Sequence, residues 1–342
     1  MYLCGMQYSK AFVRFNWITL VFIYLVVVAG SFVRISGAGM GCPDWPRCFG
    51  QWVPPTEASQ LPEHYREIYL EKRSKKIEKF CRFLNSIGLK KTSNAILSDP
   101  TLLKEEPFNA TKTWIEYINR LFGFLAGNLM LLGMFWIVLK YRKERIFLFS
   151  AVNLILMAVE AWFGSIVVAS NLVPWTITLH MLLALVIIAI QIYILHLISP
   201  IQNQHIAMNK TMKWLSLIVF LITFYQMFLG TQVREYIDEL TRMGFGRDSW
   251  TEHLGWTFYI HRSFSWLVLI LMTYMVWRNE KESKIRMLRT AYLVLALELT
   301  GGVLLAYADM PGLVQTSHLV FAAILFGILM MLVFRMRPIF RN

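Results

Sequence analysis

Val26-Val-Val-Ala-Gly-Ser-Phe-Val-Arg34 closes the first long apolar run of the chain, and its last five residues return as Gly230-Thr-Gln-Val-Arg234 at the end of another. Both runs are apolar all round, so a helix there offers no face to water and belongs in lipid. The neighbours of each stretch recur in the same order. Tyr117-Ile-Asn-Arg120 returns as Tyr259-Ile-His-Arg262, and Gly164 precedes His180 by the interval that separates Gly302 from His318. Glu160 and Glu298 each stand four residues before their glycine. Four ordered matches predict two similar four-helix halves, 1–198 and 199–342, related by a pseudo-two-fold axis along the membrane normal.

Working outward, eight apolar stretches reach the ~20 residues a membrane span needs. They are Trp17–Val33, Trp114–Leu139, Ile146–Ala169, Trp175–Ile198, Trp214–Val233, Phe258–Val276, Ala291–Tyr307 and Leu313–Phe334. The predicted fold class is therefore all-α, an integral membrane protein of eight transmembrane helices arranged as two parallel-repeat four-helix bundles. Composition agrees: 56% of the 342 residues are hydrophobic and 16% charged, against about 25% charged in soluble domains. The net charge of +13 sits in short clusters between apolar runs rather than on one face, which argues against a nucleic-acid partner and for a lipid bilayer.

Those clusters set the orientation. Lys140, Arg142, Lys143 and Arg145 separate spans two and three, Lys210 and Lys213 separate four and five, and Arg278, Lys281, Lys284, Arg286 and Arg289 separate six and seven. Arg335, Arg337 and Arg341 form the tail, whereas the opposite links, Ser170–Pro174 and Ala308–Gly312, carry no Lys or Arg. The positive-inside rule then predicts a multi-pass protein with both termini inside; between a bacterial inner (plasma) membrane and a mitochondrial inner membrane, the former is favoured. The first apolar run has no small-residue cleavage site and is expected to stay as a helix. The first external loop, 35–113, is long enough to escape the charge rule; it reads either as one or two helices on the membrane surface or as a solvated insert.

A charge at the centre of a membrane helix costs about 2.5–3.5 kcal/mol on insertion scales, so each polar group inside one needs a reason. His180, His261 and His318 lie one to two turns from the external ends of their helices, at similar depth, where facing imidazoles can bind heme iron. The alternative is hydrogen bonding between helices. The repeat is asymmetric: Asn119 matches His261, and Phe258 matches Glu116. The first half thus has a carboxylate and one histidine, the second two histidines, which suggests an open reactive site and an electron-transfer heme respectively. Glu116 reads either as a functional group or as a helix-start carboxylate paired with Arg120 four residues on. Arg34, Arg120, Arg234 and Arg262 suit heme propionates or lipid headgroups equally. Glu160 and Glu298 read as hydrogen-bonded packing groups rather than catalysts.

Cys42 and Cys48 flank Pro43-Asp-Trp-Pro-Arg47 on the predicted external side, a spacing that permits a disulfide, structural or redox-active. Cys4 and Cys81 look solitary, and His64, His196, His205 and His253 receive no role.

Taken together, Gly30-Ser-Phe-Val-Arg-Ile-Ser-Gly-Ala-Gly-Met-Gly-Cys-Pro-Asp-Trp-Pro-Arg-Cys-Phe-Gly50, Glu116-Tyr-Ile-Asn-Arg120, Thr178-Leu-His180, Gly230-Thr-Gln-Val-Arg-Glu235, His261-Arg262 and Gln315-Thr-Ser-His318 resemble the heme A synthase family. The resemblance spans nearly all of the chain except the long first loop. It implies a membrane oxidoreductase that oxidises the C8 methyl of heme O to a formyl group, giving heme A for terminal oxidases. It further implies heme b in the second half on His261 and His318, and heme O as substrate in the first half. There His180 would be the axial ligand and Glu116 the catalytic carboxylate, with Asn119, Arg120 and Arg262 among the cofactor-binding residues. The expected partners are a heme O synthase, a terminal oxidase under assembly and an electron donor. The family usually carries His where this chain has Asn119, which leaves His180 as the one histidine of the first half. Two other readings compete: a diheme b-type electron carrier, and a non-enzymatic heme carrier or assembly factor. A transporter is disfavoured by the absence of a broken helix pair.

Overall fold

The computed structural model describes residues 8–98, 107–169, 174–200 and 205–336. Cys4, the 170–173 link and the Arg337 and Arg341 tail lie outside the described residues. Among those described, eight helices are long and apolar enough to cross a membrane. They are α1 (Lys10–Ser36), α4 (Ala110–Trp136), α5 (Glu144–Ala169), α6 (Pro174–Ile198), α7 (Lys210–Arg242), α9 (Trp256–Glu282), α10 (Arg286–Tyr307) and α11 (Gly312–Arg335). Seven predicted spans fall within these helices, and Trp114–Leu139 runs off α4 into the π-helical turn Ile137–Tyr141 that continues it. Large apolar side chains such as Leu148, Ile155, Trp266, Ile270 and Leu293 face outward, as lipid rather than water requires.

Local sequence starts and stops the helices. Ser9 and Asn109 accept the Phe12 and Lys112 amides and cap α1 and α4, satisfying donors that a helix start leaves open. Gly37 ends α1 at φ 60°, a left-handed position where a side chain would be strained. The 35–113 loop holds two helices, α2 (Tyr65–Ser86) and α3 (Lys90–Leu97). They are docked rather than merely solvated: Ile77, Phe80, Cys81, Leu84 and Ile96 pack on Phe163, Ile166 and Val167 of α5 and Ile177 of α6.

α7 runs nine residues past the predicted end at Val233. Arg234, Glu235, Asp238 and Glu239 lower the hydropathy there, but Val233, Ile237 and Leu240 recur at helical spacing and bury against Trp250, Leu254 and Met310. Trp250 belongs to a short helix, α8 (Arg247–His253), that the hydropathy did not foretell.

Neighbour contacts close into two rings. α1 packs on α4, α4 on α5, α5 on α6 and α6 on α1; α7 packs on α9, α9 on α10, α10 on α11 and α11 on α7. The rings meet through α1, α6, α7 and α11. Matching hydroxyls join them: Ser31 of α1 donates to Thr316 of α11 at 3.0 Å, and Thr178 of α6 meets Thr231 of α7 at 3.2 Å. In the repeat Ser31 corresponds to Thr231 and Thr178 to Thr316, so the same joint is made twice.

Candidate functional site

Each ring places its polar residues near the end that carries the long loop. In the second, His261 of α9 and His318 of α11 face each other with ring centroids 6.4 Å apart and planes at 90°. Two metal–imidazole bonds of about 2 Å, with each ring centre behind its nitrogen, put centroids about 6 Å apart, so the pair fits axial ligation of one iron. The Nδ1 of His318 lies 3.1 Å from the Glu298 main-chain oxygen and 3.1 Å from its carboxylate Oε1. With Nδ1 so engaged, Nε2 is the nitrogen left for a metal.

The first ring repeats the arrangement with one ligand position changed. His180 of α6 stands with Nδ1 3.1 Å from Glu160 Oε1, although the ring is turned off the hydrogen-bonding line and Nδ1 makes no bond. Asn119 occupies the position of His261, and its Oδ1 is buried without a partner. Small residues open both places. A Cβ on Gly164 would come 3.1 Å from the His180 ring, and one on Gly302 would come 3.4 Å from that of His318. Gly30 and Gly230 face Asn119 and His261 in the same way. Buried atoms without protein partners gather at these places: Asn119 Oδ1, His180 Nδ1, His261 Nδ1, Glu160 Oε2 and Glu298 Oε2. Orphaned groups in a native interior call for a ligand or solvent, and the donor sets fit heme. Among the described residues no group of three or more His, Cys, Asp or Glu is arranged to hold a bare ion.

Glu116 is 1% exposed. One carboxylate oxygen accepts the Cys42 amide at 2.7 Å, and the other pairs with Arg120. Arg120 also donates to the Asp44 carbonyl at 3.2 Å, and Thr113 donates to the Gly41 carbonyl at 2.8 Å. Gly41 is required because a Cβ would lie 2.7 Å from the Lys112 backbone. The loop carrying Cys42 and Cys48 is thus sewn onto the first turns of α4. Its two cysteines are buried, with Cα atoms 5.2 Å apart, within disulfide range. Asp44 closes it by accepting the Phe49 and Gly50 amides. Tyr69 of α2 points its hydroxyl at the same carboxylate; burial first, and then Asp44, pushes the Tyr69 phenol up to about 12, so it stays protonated.

The arginines divide. Arg262 is exposed. Arg34 and Arg234, offered above to propionates or headgroups, instead grip the two oxygens of Asp238 at 2.6 and 2.9 Å, and Arg234 also bonds Gln315. Asp238 corresponds to Ala38 in the repeat, so the clasp is a single feature joining the halves. Asp238→Asn leaves two largely buried guanidiniums without a counter-charge and is expected to cost about 3 kcal/mol. A lowered unfolding midpoint in detergent checks this; an unchanged midpoint means the clasp contributes nothing.

Sequence reasoning did not find the contact of Glu160 and Glu298 with the histidines, nor the clasp. The first was signalled by the repeat, since both glutamates precede the glycine that faces the ring. The second had no local signal.

The sequence model of COX15-CtaA, described as cytochrome oxidase assembly protein, matches residues 13–83 and 92–330. A protein of Wolbachia sp. subsp. Brugia malayi (strain TRS), named heme A synthase, is 25% identical over 93% of this chain and 95% of its own length. Another so named, from Wolbachia pipientis wMel, is 25% identical over 90% of this chain and 87% of its own. A third, from Shewanella oneidensis, is 46% identical over 15% of this chain and 16% of its own.

Proposed function

The chain belongs to the COX15-CtaA family of cytochrome oxidase assembly proteins, and from that premise we propose that it is a heme A synthase. The substrate is heme O, whose C8 methyl becomes a formyl group, and the product heme A serves terminal oxidases. The observation that carries this reading is the pairing of a bis-histidine site in one ring with a repeat-related site that keeps one histidine and an unpartnered asparagine in the other.

His261 and His318 hold heme b, which supplies electron transfer when bound. His180 would hold the substrate heme, and Asn119, whose Oδ1 has no protein partner, stands where the second half has its other histidine. Glu298, through the His318 Nδ1, would keep that ring's Nε2 toward the metal, and Glu160 stands beside His180 at the equivalent place. Glu116 fixes the external loop and Arg120 over the first half. Each Glu116 oxygen accepts one partner and keeps a second lone pair, so the carboxylate can take up a proton while it holds the loop. Cys42 and Cys48 form a disulfide. The termini face the inside of a plasma membrane, as the basic clusters Lys140–Arg145 and Arg278–Arg289 favour. A heme O synthase supplies the substrate and a terminal oxidase takes the product. Two successive oxygenations of the methyl to a geminal diol, which loses water to the aldehyde, draw on an oxidant that supplies the oxygen atoms and on an electron donor.

The test is chromatography of hemes extracted from cells that make this chain together with a heme O-producing enzyme. Heme A is expected. Heme O left unconverted beside folded, heme b-loaded protein would turn the assignment toward an electron carrier.

Glu298→Gln keeps the side-chain volume and replaces the carboxyl group beside the His318 Nδ1 with an amide. Retention of the second-half heme is expected to fall by about 10–100-fold. Heme retained at wild-type stoichiometry would refute the orienting role.

A further inference from the structure

At the end of the first ring away from the long loop, Asn16 and Thr19 of α1, Gly133 of α4, Ser150 and Asn153 of α5 and Gln191 of α6 line a cavity the size of about one water molecule. Three amides cross it in one direction. Asn153 Nδ2 donates to Gln191 Oε1 at 3.3 Å. Gln191 Nε2 donates to the Asn16 main-chain oxygen and Oδ1 at 3.3 and 3.2 Å, and Asn16 Nδ2 donates to the Phe12 carbonyl at 3.0 Å. Because the chain of donors runs one way, its acceptor end is left over. Asn153 is wholly buried, and its Oδ1 has no protein donor.

The internal repeat supplies a comparison inside the same molecule. The equivalents of these six positions are Ser216, Val219, Met275, Leu288, Ala291 and Leu329. Five of them belong to one dry apolar core, each no more than 1% exposed. The sixth, Ser216, returns its hydroxyl to the Met212 carbonyl of its own helix at 2.8 Å. One architecture has therefore been filled with hydrocarbon in one half and lined with amides and hydroxyls in the other. Simple packing would favour the first solution in both, since amides inside a membrane are costly unless paired.

We propose that the first half binds an ordered water molecule at this place. The water donates to Asn153 Oδ1, and the Ser150 and Thr19 hydroxyls are within the same lining to complete its bonds. Thr19 already spends its proton on the Phe15 carbonyl at 3.0 Å, which leaves its oxygen as an acceptor. A buried water makes roughly three hydrogen bonds, and this lining provides that number. It contains no carboxylate, imidazole or cation, so water suits it better than a metal ion or an anion. The half that we assign to the substrate is hydrated between its helices at this end, and the matching place in the half assigned to electron transfer is dry. The inference does not rest on heme in either half.

Hydroxyl-radical footprinting of the full-length protein in lipid nanodiscs tests it, because water held beside a side chain is itself a source of radical. Met130 lines the cavity, and its repeat mate Met272 sits in the dry core. Both are nearly inaccessible from outside, at 6% and 0% exposure. Met130 is expected to oxidise several-fold faster than Met272. Asn153→Leu, which removes the free acceptor and fills the space, is expected to bring Met130 down to the rate of Met272. Equal rates in the wild-type protein overturn the proposal. So does a Met130 rate unmoved by the substitution, which would mean that radicals reach it from bulk solvent. Should that variant fail to fold, Ser150→Val, which fills the same cavity from the same helix, is read in the same way.

Discussion

A His261→Ala, His318→Ala double variant is expected to purify as a folded membrane protein without second-half heme, and cells making it should accumulate heme O. The physical ground is the geometry of the pair. Two rings with centroids 6.4 Å apart, from the same half, suit the two ligands we propose for one iron. Altering a residue that only orients a metal ligand costs about 10–100-fold in affinity, so removing both ligands should cost well over 100-fold. The substitutions leave small cavities and take the His318 ring from the Glu298 carboxyl group, but the apolar runs that drive insertion are unchanged, so the helices should still insert and pack. The readout is the heme content of the purified protein, beside heme A in the cell extract. Retention of heme b at wild-type stoichiometry would show that other residues hold it. Loss of heme b with undiminished heme A would separate the two halves and remove electron transfer from the second.

Glu116→Ala is expected to abolish heme A formation while sparing the second-half heme. The carboxylate is 1% exposed and is bonded by the Cys42 amide and Arg120. Deleting it strands a guanidinium and a buried amide together, a loss of about 3 kcal/mol when one partner of a buried pair is removed. The loop from Gly37 to Gly50 then loses one of its ties to α4, and the Thr113–Gly41 bond is left to hold it. Glu116→Gln separates position from charge, because the neutral amide oxygen still accepts from Cys42. If Gln restores loop order, measured as protection of Cys42 and Cys48 from a thiol reagent after mild reduction, but not heme A, then the negative charge itself matters. Wild-type heme A from the Ala variant would remove Glu116 from the mechanism.

The repeat explains how much was legible in advance. Insertion into lipid depends on runs of apolar residues, a local property, so all eight spans could be read from hydropathy. The histidines could be read because a polar group in such a run is conspicuous and because the repeat returned them at matched depth. Where charge interrupted a helix, the reading stopped short. α7 continues to Arg242 because Val233, Ile237 and Leu240 still find apolar neighbours, which a window average does not register.

The sequence by itself determined the eight helices, their order, the two-fold recurrence of glycine, glutamate and histidine, and the replacement of one histidine by Asn119. Only the tertiary structure decided where the buried polar groups send their bonds. Glu116 meets the Cys42 amide across 74 residues of chain, Arg34 and Arg234 share Asp238 across the halves, and Asn153 is left with an unmet acceptor. The reason is the range of the forces. Burial in lipid is non-directional and follows composition along one helix, whereas a hydrogen bond requires its partner within about 3 Å and in line, which depends on how separate helices are set against one another.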